Sequence, residues 1–142
     1  LFAVNVRGTF LACQAAARRM RAAGGGRIVV ITSVAAEQAW AGEMVYCASK
    51  AAQRSLVQGM AVELAPFGIR VVALNPVAGE TPLLKTFMGE DTPEMRAKFL
   101  STIPIGRFSQ PEDLGNAACF LCSDEASMIT GVCMEVDGGR CI

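Results

Sequence analysis

Tyr46 and Lys50 stand one helical turn apart in Tyr46-Cys47-Ala48-Ser49-Lys50. That spacing puts both side chains on one face of a helix. A phenol titrates near pH ~10, so taking it to about 7 requires about 4 kcal/mol of preference for the phenolate. One ammonium at ~4 Å in an effective dielectric of ~20 supplies about that much. The pair is thus a candidate acid/base centre, and Tyr46 is the one tyrosine in the chain. Tyrosine and lysine also fall one turn apart by chance, so their surroundings decide. Ser33 closes an apolar run upstream of Tyr46, and Asn75-Pro76 closes the next such run. Asn5 lies inside an apolar-periodic segment, where asparagine is a poor helix former and is available to a carbonyl or a water instead.

The elements that must carry these residues are legible in the periodicity. Phe2, Val6, Phe10, Cys13, Ala17 and Met20 keep a three-to-four spacing, which predicts a helix from the start of the sequence to about Ala23. Gly24-Gly25-Gly26 turns the chain into Arg27–Ile31, a β-branched run of the kind buried on both faces of a parallel sheet. A loop of small residues with Trp40 spans 32–43. A second helix is predicted over 45–65, with Leu56, Val57, Met60, Ala61 and Leu64 on one stripe. Arg70–Leu74 reads as another buried strand, broken by Asn75-Pro76. Two helix starts follow, one with Thr92 as cap and Pro93 in the first position, the other at Pro111-Glu112-Asp113. The second of these presents Leu114, Ala117, Ala118 and Leu121 on one face. Val132–Val136 is the last strand.

This alternation implies an α/β fold with a parallel sheet of three strands and flanking helices. In open sheets of that kind, ligands bind outside the carboxyl ends of the strands, where Ser33 and Asn75 fall. The 142 residues fit one domain. The helix entered without a start signal, and the apolar strand at 28–31 without a second neighbour, point to the C-terminal part of something longer. Thirteen basic residues balance thirteen acidic ones, so charge points to neither nucleic acid nor an anionic membrane surface. No apolar run approaches the ~18 residues of a membrane span. With no histidine in the chain, Ser-His-Asp and Cys-His nucleophilic sites are excluded.

Asn5, Ser33, Tyr46 and Lys50 together resemble the Asn-Ser-Tyr-Lys tetrad of the short-chain dehydrogenases/reductases. Asn5-Val6-Arg7-Gly8, Arg27–Ser33, Tyr46–Ala52 and Ile69–Pro76 are similar to stretches of that family. Gly106-Arg107-Phe108 with Pro111-Glu112-Asp113, Ile129-Thr130-Gly131 and Val136-Asp137-Gly138-Gly139 resemble the tail of its classical branch. The likeness runs in order along essentially the whole chain. It implies the C-terminal part of a doubly wound, Rossmann-like domain that interconverts an alcohol and a ketone with NAD or NADP.

The resemblance assigns Tyr46 as the proton donor or acceptor. Lys50 then lowers its pKa and holds the cofactor ribose, Ser33 bonds the substrate oxygen, and Asn5 holds a water leading to Lys50. Asn75, Pro76, Gly79 and Thr81 fall at cofactor-binding positions. Val77 departs from the family's usual glycine after Asn-Pro, and Gly79 from its usual valine or isoleucine. The glycine-rich turn that receives a pyrophosphate is not in these residues, since Gly24-Gly25-Gly26 follows a helix and precedes a strand, the reverse of the required order. The segment 77–110 reads as a sparsely structured substrate lid. A homo-oligomer, tetramer or dimer, is implied as well. The alternative reading is a non-catalytic truncated chain or assembly module that keeps the tetrad by descent.

Six cysteines, including Cys119 and Cys122, read as small core residues in a reducing cytoplasm, with no metal site. Trp40 reads equally as a pocket wall or a surface anchor. Arg96 and Lys98 read as solvated.

Overall fold

The computed structural model describes residues 1–142, with the side chain of Phe87 left aside. Helix α1 covers Thr9–Ala22 and is entered through a π-helical stretch, Ala3–Gly8. Strand β1 (Gly26–Ile31) leads through a short 3-10 turn at Val34–Ala36 to α2 (Met44–Leu64). Strand β2 (Ile69–Pro76) is followed by α3 (Leu83–Met88), α4 (Pro93–Leu100) and α5 (Pro111–Cys122), and β3 (Cys133–Val136) closes the sheet.

The strands lie in the order β1-β2-β3, all parallel, with Ile28 beside Val71 and Ala73 beside Cys133. Alternate residues of a strand face opposite sides, and β2 shows this cleanly. Val71 and Ala73 join Ile28, Val30 and the α1 and α2 residues Cys13, Ala17, Val57 and Ala61 in one core. Val72 and Leu74 face the other way and pack with Leu121, Leu114, Ala117 and Ala118 of α5. Helices therefore cover both faces, as the apolar runs of β1 and β2 require. β2 is the central strand. β1, read from the sequence as central, has β2 as its one sheet neighbour among the described residues, and Ile31 is 52% exposed.

Three local features depart from the sequence reading. The first apolar stripe is fully buried only at Cys13 and Ala17, while Phe2 and Phe10 remain exposed. Asn75 and Pro76 do not break the second strand; they extend it, paired with Glu135 and Val136. Segment 77–110 holds two helices, and α4 starts as expected, with the Thr92 hydroxyl accepting from Met95 N at 3.2 Å.

The glycine turns have a packing reason. A Cβ on Gly25 would lie 2.8 Å from the Gly68 carbonyl oxygen, and Gly68 itself has φ +69°, the left-handed cap that ends the α2 region. The loops at the amino ends of β1 and β2 thus press backbone on backbone. Arg70 anchors the other face, donating to the carbonyls of Leu121 (2.8 Å) and Ser123 (2.9 Å) at the carboxyl end of α5. Those carbonyls are unpaired within the helix and carry its negative end. Among the described residues, no helix is long and apolar enough to cross a membrane.

Candidate active site

A third cluster, Val34, Val77, Leu84, Ile103 and Phe108, roofs the carboxyl ends of the strands. Beneath it lies a cavity of about 180 Å³. Thr32 and Ser33 enter it from the end of β1, Tyr46 from the first turn of α2, Trp40 from the loop between them, and Pro76, Gly79 and Thr81 from the segment after β2. Five of the predicted positions, Ser33, Tyr46, Pro76, Gly79 and Thr81, are therefore brought to one cavity. Trp40 is part of its wall.

Ser33 is buried, and its Oγ accepts from Ala35 N at 3.1 Å. That bond uses a lone pair and leaves the hydroxyl proton free to be aimed at an oxygen in the cavity. Lys50 lies one turn along α2 from Tyr46, with Nζ 5.7 Å from the phenol ring centroid. Nζ also donates to the Ile31 carbonyl at 3.4 Å, and burial lowers the ammonium's pKa from its ordinary value. The four-residue spacing has placed the cation beside the ring, as the sequence expected.

Asn5 sits in the π-helical stretch, a distortion often found at functional positions. Its Nδ2 donates to Ser49 Oγ at 3.1 Å, and Ser49 Oγ donates to the Tyr46 carbonyl at 2.7 Å. Asn5 thus reaches the Tyr46 turn through a fully buried serine, a residue that the sequence reading passed over. One turn further on, Gln53 Nε2 donates to Thr9 Oγ1 at 2.8 Å and repeats the link. The signal was present as Asn5/Thr9 and Ser49/Gln53, two polar pairs at four-residue spacing on facing helices.

Asn75 is fully buried and does not line the cavity with its side chain. The Thr32 hydroxyl lies against Leu74 O at 2.9 Å and against Asn75 Oδ1, while Asn75 Nδ2 donates to Glu37 at 3.4 Å. Glu37 in turn pairs with Arg54 at 2.9 Å. Asn75 thereby ties the ends of β1 and β2 together, and its neighbour Pro76 meets the cavity. The unusual Gly79 has a cause in the fold: it bridges Ser109, whose Oγ would lie 3.1 Å from a Cβ at position 79.

Arg96 is not solvated on its own. It pairs with Glu80 at 2.8 Å and with Asp91, and its guanidinium lies 5.6 Å from the Phe108 ring centroid. Cys119 and Cys122 lie on the exposed side of α5 rather than in a core, whereas Cys13 and Cys47 are buried. Burial, reinforced by Asp137, pushes the Cys141 thiol up to about 11. Among the described residues, no three His, Cys, Asp or Glu side chains are grouped to hold a metal ion.

Comparison with known proteins agrees with this architecture. A family model described as enoyl-(acyl carrier protein) reductase matches residues 1–140. The chain is 44% identical over 141 residues to 4-formylbenzenesulfonate dehydrogenase of Comamonas testosteroni, covering 99% of this chain and 56% of that one. It superposes with a TM-score of 0.91 on a 3-ketoacyl-(acyl-carrier-protein) reductase from Brucella melitensis solved with NADH, at 46% identity, covering 99% of this chain and 57% of that one. A 7α-hydroxysteroid dehydrogenase solved with NADH and a 7-oxo bile acid gives a TM-score of 0.89 at 43% identity, covering 95% of this chain and 52% of that one. The chain spans about half the length of the relatives it matches. It belongs to the short-chain dehydrogenase/reductase family.

Proposed function

We propose that the chain carries the proton-transfer and substrate side of an NAD(P)-dependent oxidoreductase that interconverts an alcohol and a ketone. The observation that carries this reading is the meeting of Ser33 and Tyr46 on one cavity, with the Lys50 ammonium 5.7 Å from the Tyr46 ring centroid. NADH in the two solved relatives supports the choice of cofactor.

The residues present fit the nicotinamide and ribose end of such a cofactor. Pro76, Gly79 and Thr81 form one wall of the cavity, and Lys50 offers a partly desolvated cation beside it. When bound, the nicotinamide supplies or accepts the hydride. The chain's own residues handle the oxygen. The Ser33 hydroxyl donates to the substrate oxygen as negative charge grows on it. The Tyr46 phenol gives its proton to that oxygen on reduction and takes it back on oxidation. Lys50 stabilises the phenolate that is left. Asn5, through Ser49, fixes the turn from which Tyr46 projects. Ala78, Leu83 and Leu84, with Trp40, make the remaining wall mainly apolar, which suits a carbon skeleton.

The same reading makes the protein a homo-oligomer, dimer or tetramer. Phe2, Val4, Leu11, Val45 and Val62 are exposed on the first two helices, which that reading would set against a second copy. Purified intact protein should oxidise 2-butanol, cyclohexanol or glycerol, or reduce cyclohexanone or ethyl acetoacetate, with NAD(H) or NADP(H). Light scattering on that preparation should give two or four copies. Absence of turnover with every pair would contradict the reading and favour an assembly module.

A further inference from the structure

Arg140 comes from the end of the chain yet contacts both the lid and the cavity wall. Its guanidinium carbon lies 4.6 Å from the Phe99 ring centroid on α4 and 5.5 Å from the Trp40 ring centroid. Its Nη1 donates to Thr102 Oγ1, just past α4. Among the described residues, no carboxylate pairs with it. The base of this side chain is fixed. Asp137 accepts from Gly139 N (2.9 Å) and Cys141 N (2.8 Å), so the carboxylate clamps the backbone on both sides of Arg140. The glycines of that turn have φ +65° and +87°, and a Cβ on Gly138 would lie 2.7 Å from Ile103 Cγ2. The turn is therefore pressed onto the chain just after α4.

A guanidinium between two aromatic rings is held by their electron-rich faces, and partial burial strengthens the attraction. Trp40 is the ring that matters to chemistry, because it lines the same cavity as Ser33 and Tyr46. Phe99 in turn packs on Phe108 of the roof, with ring centroids 5.9 Å apart. We infer that Arg140 is a positioning residue for substrate binding, which pins α4 to Trp40 and so sets the width of the cavity's substrate side. The inference rests on the oxidoreductase reading and adds to it a specificity determinant remote from the reacting oxygen.

The test uses the intact protein and the best-turned-over substrate among those named above. Arg140→Met keeps the length of the side chain and removes the charge and the donors. KM for the alcohol or ketone should rise about fivefold with kcat changed by less than about twofold. Trp40 emission, isolated by subtracting a Trp40→Phe spectrum, should move to the red as water replaces the guanidinium. Arg140→Lys, which keeps a cation over the rings, should fall between the two. Parental KM and parental emission in Arg140→Met would overturn the inference, as would a fall in kcat with KM unchanged. Should Arg140→Met fail to fold, Thr102→Val and Phe99→Leu retain Arg140 and should raise KM in the same way; a parental KM in both would overturn it. If the parent turns over nothing, an unshifted Trp40 emission in Arg140→Met still overturns the pin, and a shifted one leaves only the oxidoreductase reading contradicted.

Discussion

At the scale of single residues, the account turns on a lysine that is partly withdrawn from water beside a phenol. Burial lowers the Lys50 pKa, so the folded protein binds this proton less tightly than the unfolded chain does. The cost of holding the charged form is therefore present at neutral pH. It is relieved as pH rises through the lowered folded value towards the unfolded value near ~10.4. Unfolding titrations in urea should show the parent gaining stability relative to Lys50→Met over that alkaline window. A difference between the two that stays flat with pH would contradict the assignment of burial as the cause. Ser33 makes the complementary point: its lone pair is used by Ala35 N and its proton is not, which suits a donor to a developing oxyanion.

At the scale of elements, several runs and helix starts were legible because they are local, whereas the end of β2 at Asn75-Pro76 and the short α3 were not. The run Arg27–Ile31, the Thr92–Pro93 cap and the α5 stripe each declare themselves within a few residues. Links between distant residues were not legible in this way. Arg96 with Glu80, Asn75 with Glu37, and Arg140 with Trp40 depend on which loops the sheet brings together, and periodicity carries no information on that. The π-helical entry to α1 was half visible: Asn5 announced a misfit in the helix, but its partner Ser49 lay on another element. The reading of 77–110 as a lid belongs to this scale too. Segment 77–110 is braced internally by the exposed Arg96 pairs, and such pairs are individually weak. Adding NADH and the unreactive member of a working substrate pair should slow amide hydrogen exchange across α3 and α4 of the intact protein. Equal exchange with and without them would contradict a closing lid.

At the scale of the molecule, two cores hold the sheet from opposite faces, and a third cluster closes the carboxyl ends of the strands. The candidate site residues are legible in short local motifs and the family resemblance, which need no knowledge of this division. Ser33, Tyr46 and Lys50 sit on elements whose order along the chain is also their order in the fold, β1, then α2. The cavity's far side was harder to foresee. It is built by Trp40 and the start of α3, with α4 and Cys141 packed behind them on the roof cluster, and these parts are separated in sequence and meet only when that cluster forms. Even the departures at Val77 and Gly79 become intelligible there, since Val77 is a buried member of the roof and Gly79 allows Ser109 to approach.

The central claim is that Tyr46 moves the proton. The most direct measurement is steady-state turnover of the intact Tyr46→Phe protein beside its parent, with NADH binding followed on the same samples by fluorescence titration. The account predicts a fall in kcat of about 10²- to 10⁴-fold with the fold and NADH affinity retained. Turnover within about tenfold of the parent would contradict it.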